Sequence, residues 1–203
     1  MMTDRNDGIY PVGGRRVLLT GPIPPEAELA ATARDEDLRA AAVFASEHRR
    51  REYLAWRALL YGYMGDGARV SYDDAGAPCL VSHPDIYVSV SHCRDMVAVA
   101  LSDRRCGVDM ERADRDFSKA APRFLDDAER LLSEDTRLAA AVWCAKECLF
   151  KMYGRRGLDF RRDIRICSVD FGGGHICGGV TGGATVEMRM RFTPDGHVVV
   201  YFV

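Results

Sequence analysis

Residues 86–111, IYVSVSHCRDMVAVALSDRRCGVDME, decide the fold class of this chain. Apolar and small polar residues alternate over Ile86 to Ser91 and again over Met96 to Leu101, and Cys106 to Glu111 forms a third short run. Such alternation is typical of strands with one buried face, and turn residues separate the three runs. We therefore predict an antiparallel meander in this part of the chain.

Helical patterns surround the meander. Apolar residues recur at helical spacing, and the predicted helices are Glu26 to Leu38, Val43 to Met64, Phe117 to Leu132 and Leu138 to Tyr153. Strand patterns then return at Ile164 to Val169, Thr185 to Phe192 and His197 to Val203. The glycine-rich stretch Gly172 to Gly183 lacks phosphate-loop spacing, so we interpret it as hairpin turns.

This order of elements predicts an α+β protein. We expect two similar lobes, each an antiparallel sheet packed with helices, related by a pseudo-twofold axis. The lobe boundary is predicted near Asp103 to Arg105, which gives an N-terminal lobe over residues 1–104 and a C-terminal lobe over 105–203.

Composition excludes several classes of function. The net charge of −2 over 203 residues gives no general attraction to nucleic acid or to anionic membranes. The N-terminus, Met1 to Gly8, lacks the apolar stretch of a signal peptide, and no apolar run is long enough to span a membrane. The seven cysteines are scattered without a C-x-x-C pair, so we expect reduced thiols and a cytoplasmic protein.

A pair of carboxylates ends the meander. In a strand Asp109 and Glu111 share one face, about 7 Å apart at roughly 3.3 Å per residue, and we expect Val108 and Met110 to point into the core. Two such carboxylates repel each other unless a cation lies between them, and Mg²⁺ suits this arrangement. The alternative is a solvated edge strand whose charges prevent pairing with other sheets.

The predicted helix from Leu138 to Tyr153 carries further charged residues in the sequence WCAKECLFK. Glu147 and Lys151 lie one turn apart, away from the apolar stripe, which is also the pattern of a surface ion pair. As functional groups, Glu147 supplies a third metal carboxylate, and Lys146 and Lys151 neutralise phosphate charge.

Two upstream features could bind phosphate. Ser91 and His92 close a strand, where a hydroxyl and an imidazole suit an anion but could equally be ordinary turn residues. Arg49, Arg50 and Arg51, with Arg57 further along the same predicted helix, form a local basic cluster or a solvated face.

Together these motifs resemble one family. G-V-D-x-E, followed by W-x-x-K-E-x-x-x-K and preceded by S-V-S-H, is similar to the 4′-phosphopantetheinyl transferases, and the chain resembles their larger, surfactin-synthetase-activating type. The resemblance runs from about Arg49 to Asp170. It departs from the family at Gly76-Ala77-Pro78, where a lysine is usual and where its absence removes a phosphate contact.

The resemblance implies a role for each matching residue. Asp109, Glu111 and Glu147 would hold Mg²⁺ against the coenzyme A pyrophosphate, and Lys151 would assist the departing 3′,5′-ADP. Glu129, in R-F-x-x-x-x-E, would be a candidate base. Residues implied in coenzyme A binding are Arg51, Arg57, Ser91, His92, Lys146 and Lys151.

The implied reaction moves phosphopantetheine from coenzyme A to a serine of an apo acyl or peptidyl carrier protein. The N-terminal lobe would bind coenzyme A, and the C-terminal lobe would hold the metal. We expect a monomer that binds neither nucleic acid nor membranes.

Three alternatives stay open. The chain could be a non-catalytic homologue that binds coenzyme A, a thiol enzyme using Cys93 beside His92, or a metal module using Cys144 and Cys148. Cys93 and His92 are adjacent in a predicted strand, so their side chains point to opposite faces, which is unfavourable for proton transfer between them. Cys144 and Cys148 lack two further ligands at a spacing typical of a zinc site.

Overall fold

The computed structural model describes residues 8–154 and 157–203, so the predicted absence of a signal peptide before Gly8 lies outside the described residues. The chain divides into two compact units, Met1–Asp103 and Arg104–Val203. Each unit contains an antiparallel sheet packed with helices, which confirms the predicted α+β class.

Residues 8–103 form a six-stranded sheet. Its strands are β1 (Gly8–Gly13), β2 (Arg16–Pro22), β3 (Val70–Tyr72), β4 (Pro78–Leu80), β5 (Tyr87–Cys93) and β6 (Met96–Ser102). They lie in the order β1-β2-β6-β5-β4-β3, with antiparallel neighbours throughout. The β5–β6 hairpin is as predicted. Strands β1, β2, β3 and β4 were not predicted from the sequence patterns.

Three helices accompany this sheet: α1 (Glu26–Thr32), α2 (Asp35–Ala41) and α3 (Glu47–Met64). The single helix predicted over Glu26 to Leu38 is wrong, because Ala33 and Arg34 are extended, with ψ of 153° and 147°. Arg34 donates to the carbonyl oxygens of Asp66 and Ala68, a tertiary contact that holds this break. The buried core of the unit includes Leu19, Leu54, Leu60, Val97, Val99 and Leu101.

Residues 104–154 and 157–203 contain a five-stranded sheet. Its strands are β7 (Gly107–Arg112), β8 (Ile164–Asp170), β9 (His175–Val180), β10 (Val186–Phe192) and β11 (His197–Phe202), in the order β7-β11-β10-β9-β8. The predicted meander is therefore wrong in its third strand. β7 pairs with β11, ninety residues later in the chain, and this long-range pairing leaves no local sequence signal.

The described residues of this unit contain two α-helices, α4 (Asp127–Arg130) and α5 (Leu138–Tyr153). Both ends of α5 are as predicted, and its last turn ends at Gly154 with a φ of 61°. The helix predicted over Phe117 to Leu132 is wrong. Pro122 lies in a single 3-10 turn, and extended Asp126 starts the short α4 with a capping box.

The glycine-rich stretch Gly172 to Gly183 contains strand β9, which corrects the prediction of turns alone. Glycine is required within the strand, because a Cβ on Gly178 would lie 2.6 Å from the carbonyl oxygen of Arg165 on β8. Close approach of two backbones, rather than a turn, explains this glycine.

Within residues 8–154 and 157–203, no helix is long and apolar enough to cross a membrane.

Candidate active site

A close contact between β7 and α5 builds the acidic site of the second unit. A Cβ on Gly107 would lie 2.2 Å from the carbonyl oxygen of Cys148, so glycine lets the strand reach the helix backbone. Side chains at alternate positions share a face, so Asp109 and Glu111 project on the α5 side of the strand. Val108 and Met110 project on the opposite face and are buried.

Asp109 is held by the helix. The Lys151 ammonium donates to Asp109 Oδ1 at 2.8 Å and to the Val108 carbonyl oxygen at 2.9 Å. Asp109 is only 7% exposed, so the alternative of a solvated edge does not describe it. Burial lowers the pKa of Lys151, but the charge and hydrogen bond of Asp109 and the charge of Glu147 outweigh burial and raise it.

Glu147 lies close enough to Asp109 for the two carboxylates to repel each other. Burial raises the pKa of Glu147, repulsion from Asp109 raises it further, and Lys151 opposes both effects. One ammonium thus faces two carboxylates, and the site carries excess negative charge. A divalent cation would relieve this excess.

Glu111 has a different partner. Its carboxylate forms an ion pair with Arg115 in the segment after β7 and accepts a hydrogen bond of 2.8 Å from the Arg112 amide. In the part of the chain that the structure describes, no three or more acidic, histidine or cysteine side chains are grouped as a metal cluster.

The donor chemistry of the site fits Mg²⁺. Magnesium is commonly held by one or two carboxylates and takes its remaining ligands from water and substrate phosphate. Asp109 on β7 and Glu147 on α5 are two such carboxylates. A complete protein cage is not needed for this metal.

Lys146 and Glu129 form a buried pair elsewhere in the same unit. Lys146 is fully buried, and its ammonium donates to Glu129 at 2.8 Å and to the carbonyl oxygens of Phe124 and Phe160 at 2.6 and 2.8 Å. Burial lowers the pKa of Lys146, and the Glu129 carboxylate opposes this shift. All three ammonium protons are used, which favours a structural role over the phosphate contact that the sequence predicted.

Glu129 is equally enclosed. It is 1% exposed, and its carboxylate accepts from the amides of Asp126 and Ile166 at 3.0 and 2.9 Å as well as from Lys146. A base must reach the substrate proton directly or through water. The environment of Glu129 therefore argues against the role of base that the family resemblance implied.

The first unit places two predicted coenzyme A residues in structural contacts. Arg57 is 3% exposed, lies 2.9 Å from Asp37, and stacks over the ring of Tyr53 at 3.5 Å. Arg51 donates to the carbonyl oxygens of Ile23 and Pro24, both at 2.9 Å. These contacts fix α3 against its surroundings, so the basic run is not a uniform phosphate patch.

His92 lies in a cleft of about 360 Å³ within the first unit. Its Nδ1 is 2.8 Å from the buried carboxylate of Glu52, which also contacts Arg49 and His48 at 3.0 Å. Ser91, the neighbouring residue on β5, is buried. The cleft is lined by Phe44, Arg49, Glu52, Tyr53, Trp56, Tyr72 and His92.

Glu52 and Arg115 contact the candidate site residues but were not predicted from the sequence. Glu52 follows His48 by four residues and Arg49 by three, so the helical i,i+4 and i,i+3 rules could have found these contacts. The pairing of Arg115 with Glu111 depends on the turn after β7, and no sequence pattern identifies it.

The thiols do not support the cysteine-based alternatives. Cys93 is buried. Burial is the main cause that raises the pKa of Cys144, and the negative charges of Asp109 and Glu111 raise it further. Burial also raises the pKa of Cys148. Both groups are therefore protonated at neutral pH, whereas a metal ligand or nucleophile needs the thiolate.

Comparison with known families bears on this same unit. Residues 105–186 match the family model of the 4′-phosphopantetheinyl transferase superfamily. The matched stretch includes β7, α5 and all three site carboxylates, so this part of the chain is similar to that superfamily. No curated protein matches the sequence.

Proposed function

We propose that this protein transfers 4′-phosphopantetheine from coenzyme A to a serine of an apo acyl or peptidyl carrier protein and releases 3′,5′-ADP. We further assign it to the larger, surfactin-synthetase-activating type. The observation that carries the proposal is the excess of carboxylate charge at Asp109 and Glu147 inside the segment that matches the superfamily.

Asp109 and Glu147 would hold Mg²⁺, with Glu111 as the third ligand. When bound, the metal would supply charge neutralisation for the pyrophosphate of coenzyme A. The Lys151 ammonium, already anchored by Asp109, would lie beside the phosphates as a fixed positive charge.

The chemistry needs one bond exchange and one proton transfer. The serine oxygen attacks the β-phosphorus of coenzyme A, and the bond from that phosphorus to the bridging oxygen breaks, so that the electron pair leaves with 3′,5′-ADP. Glu147 is better suited than Glu129 to accept the serine proton, because Glu129 is enclosed in the core whereas Glu147 is only partly buried.

The predicted N-terminal lobe, residues 1–104, would bind the nucleotide end of coenzyme A, and the predicted C-terminal lobe, residues 105–203, would hold the metal. His92 and Arg49 are the cleft residues suited to the 3′-phosphate, with Glu52 orienting both. Arg51, Arg57 and Ser91 would support that cleft. We place the reaction in the cytoplasm, as expected for seven scattered cysteines without a C-x-x-C pair.

Incubating the protein with coenzyme A, Mg²⁺ and apo-carrier proteins tests this proposal by intact mass spectrometry. We expect the carrier to gain the mass of one phosphopantetheine, and Glu147→Gln and Asp109→Asn each to lower the rate by about 10²-fold or more while the fold is kept.

The outcome that would reject the proposal is coenzyme A binding without product on acyl and peptidyl carriers, which would identify a non-catalytic homologue. Near-normal turnover in both carboxamide variants would reject the metal assignment. The matched control is Glu187→Gln, a carboxylate on the exposed face of β10 that should leave the rate unchanged.

A further inference from the structure

Strand β8 contains a β-bulge at Cys167. Ile166 pairs with Gly178 of β9, but the next paired residue, Ser168, faces Cys177, so Cys167 is an extra residue in the ladder. In a bulge of this kind two residues of one strand oppose a single residue of the other. Cys167 and Ser168 thus share Cys177 as their neighbour.

The bulge places both thiols on the face of the sheet away from the core. Ile166 and Ile176, the residues preceding each cysteine, belong to the buried core of the unit. Cys167 is exposed and Cys177 is partly buried. Because neighbouring strand residues point to opposite faces, both cysteine side chains project outwards.

The two cysteines are close in space. Cys167 Sγ lies 3.4 Å from the carbonyl oxygen of Cys177, and Gly178 allows β8 and β9 to approach closely beside them. Disulfides form between residues whose Cα atoms are about 4.4–6.8 Å apart, a range that includes neighbours on paired strands. The pairing of β8 with β9 therefore makes Cys167 and Cys177 candidates for such a link.

We propose that Cys167 and Cys177 form a reversible disulfide when the protein meets a small-molecule disulfide such as oxidised glutathione. The thiolate of one cysteine attacks the small disulfide, forms a mixed disulfide and releases one thiolate. The second cysteine thiolate then displaces the remaining small thiol. Two electrons pass from the cysteines to the small disulfide, and the two cysteine protons end on the two released thiols.

The other five cysteines lack this combination of exposure and a neighbouring thiol. Cys93, Cys106, Cys144 and Cys148 are buried, and burial raises the pKa of Cys106 to about 12. Cys79 is partly buried on β4 of the first unit. Oxidation should therefore be selective for the bulge.

The Cys167–Cys177 disulfide would form next to a hydrogen bond that Glu129 of the buried Lys146–Glu129 ion pair accepts. The Ile166 amide, one residue before Cys167, donates to Glu129 at 2.9 Å. Joining β8 to β9 here should slow the opening of that hydrogen bond. The proposal itself does not depend on the transferase function.

The test treats the fully reduced, folded protein with oxidised glutathione and follows it by intact mass and peptide mapping. We expect loss of two hydrogen atoms, a Cys167–Cys177 peptide link, and slower hydrogen exchange of the Ile166 amide. Cys167→Ser should instead accumulate a glutathione adduct on Cys177. Cys79→Ser, the matched control, should form the internal link as the unaltered protein does.

Stable glutathione adducts on both bulge cysteines without a link would overturn the proposal. A link that maps to any other cysteine, or one that joins two chains, would do the same. Reduction with dithiothreitol should restore the starting mass, and failure to do so would contradict reversibility.

Discussion

Helix α5 provides two lysines that each contact a carboxylate, but the two pairs lie in opposite environments. Lys146 and Glu129 are fully buried, and backbone amides and carbonyls complete their hydrogen bonds. Lys151 is partly exposed and contacts Asp109, with Glu147 close by as a second carboxylate. The first pair is neutral and closed, whereas the second is open and carries surplus negative charge.

We therefore expect the two lysines of one short motif to differ when they are substituted: Lys146 should affect the stability of the fold, and Lys151 should affect the reaction. A buried charge pair with every hydrogen bond satisfied has nothing left to offer a ligand, and breaking it exposes an uncompensated charge. Where two carboxylates face one ammonium, the uncompensated negative charge is unfavourable, and a bound cation would offset it. The motif W-x-x-K-E-x-x-x-K thus contains one lysine enclosed in the core and one that, in our proposal, takes part in the reaction.

The largest expected effect is on stability in Lys146→Met. Removing the ammonium leaves the Glu129 carboxylate buried without its counter-charge, and such losses cost about 3–5 kcal/mol. Urea unfolding followed by circular dichroism measures the change. Lys151→Met is the matched control, and equal destabilisation by the two substitutions would contradict the distinction between the pairs.

The next effect concerns catalysis in Lys151→Met. Loss of a fixed positive charge beside the phosphates should lower the transfer rate by about 10²-fold, while the free energy of unfolding changes little. Steady-state transfer to an apo-carrier measures the rate. A normal rate with lowered stability would show that Lys151 is structural, like Lys146.

Glu147→Gln should stabilise the protein at neutral pH in the absence of metal. The pKa of Glu147 is raised above its usual value of 4.5, so the folded state binds the proton more tightly than the unfolded state. Stability is therefore lost as pH rises from 4.5 through the raised pKa, and the glutamine variant escapes this loss.

Thermal unfolding with and without Mg²⁺ measures this prediction. The advantage of the variant should disappear below pH 4.5, where Glu147 is protonated in both states. Added Mg²⁺ should raise the melting temperature of the unaltered protein more than that of the variant. Equal Mg²⁺ shifts would contradict a role for Glu147 in binding the metal.

The smallest effect is expected for Arg115→Ala. Its ion pair with Glu111 is partly exposed, so its loss should change the free energy of unfolding by less than about 1 kcal/mol. Mg²⁺ should bind more tightly, because the Arg115 charge no longer competes with the metal for Glu111. Calorimetric titration measures this affinity, and weaker binding would show that Arg115 positions Glu111 for the metal.

Local patterns were reliable where one element supplied its own signal. The ends of α5 and the β5–β6 hairpin follow from apolar spacing and turn residues, and both are confirmed. Patterns failed where distant contacts decide the outcome. The Arg34 side chain donates to the carbonyl oxygens of Asp66 and Ala68, and this contact helps to divide the predicted helix into α1 and α2. Strand β9 requires glycine at position 178 because β8 passes close to it.

The sequence by itself determined the α+β class, the helix that carries Lys146, Glu147 and Lys151, and the strand that carries Asp109 and Glu111. Only the tertiary structure decided which lysine is buried and which is available, because burial depends on what packs against each face of a helix. The sequence shows which residues are acidic and which are basic. The electrostatic environment that gives a charge its role arises from neighbours that the chain brings together only on folding.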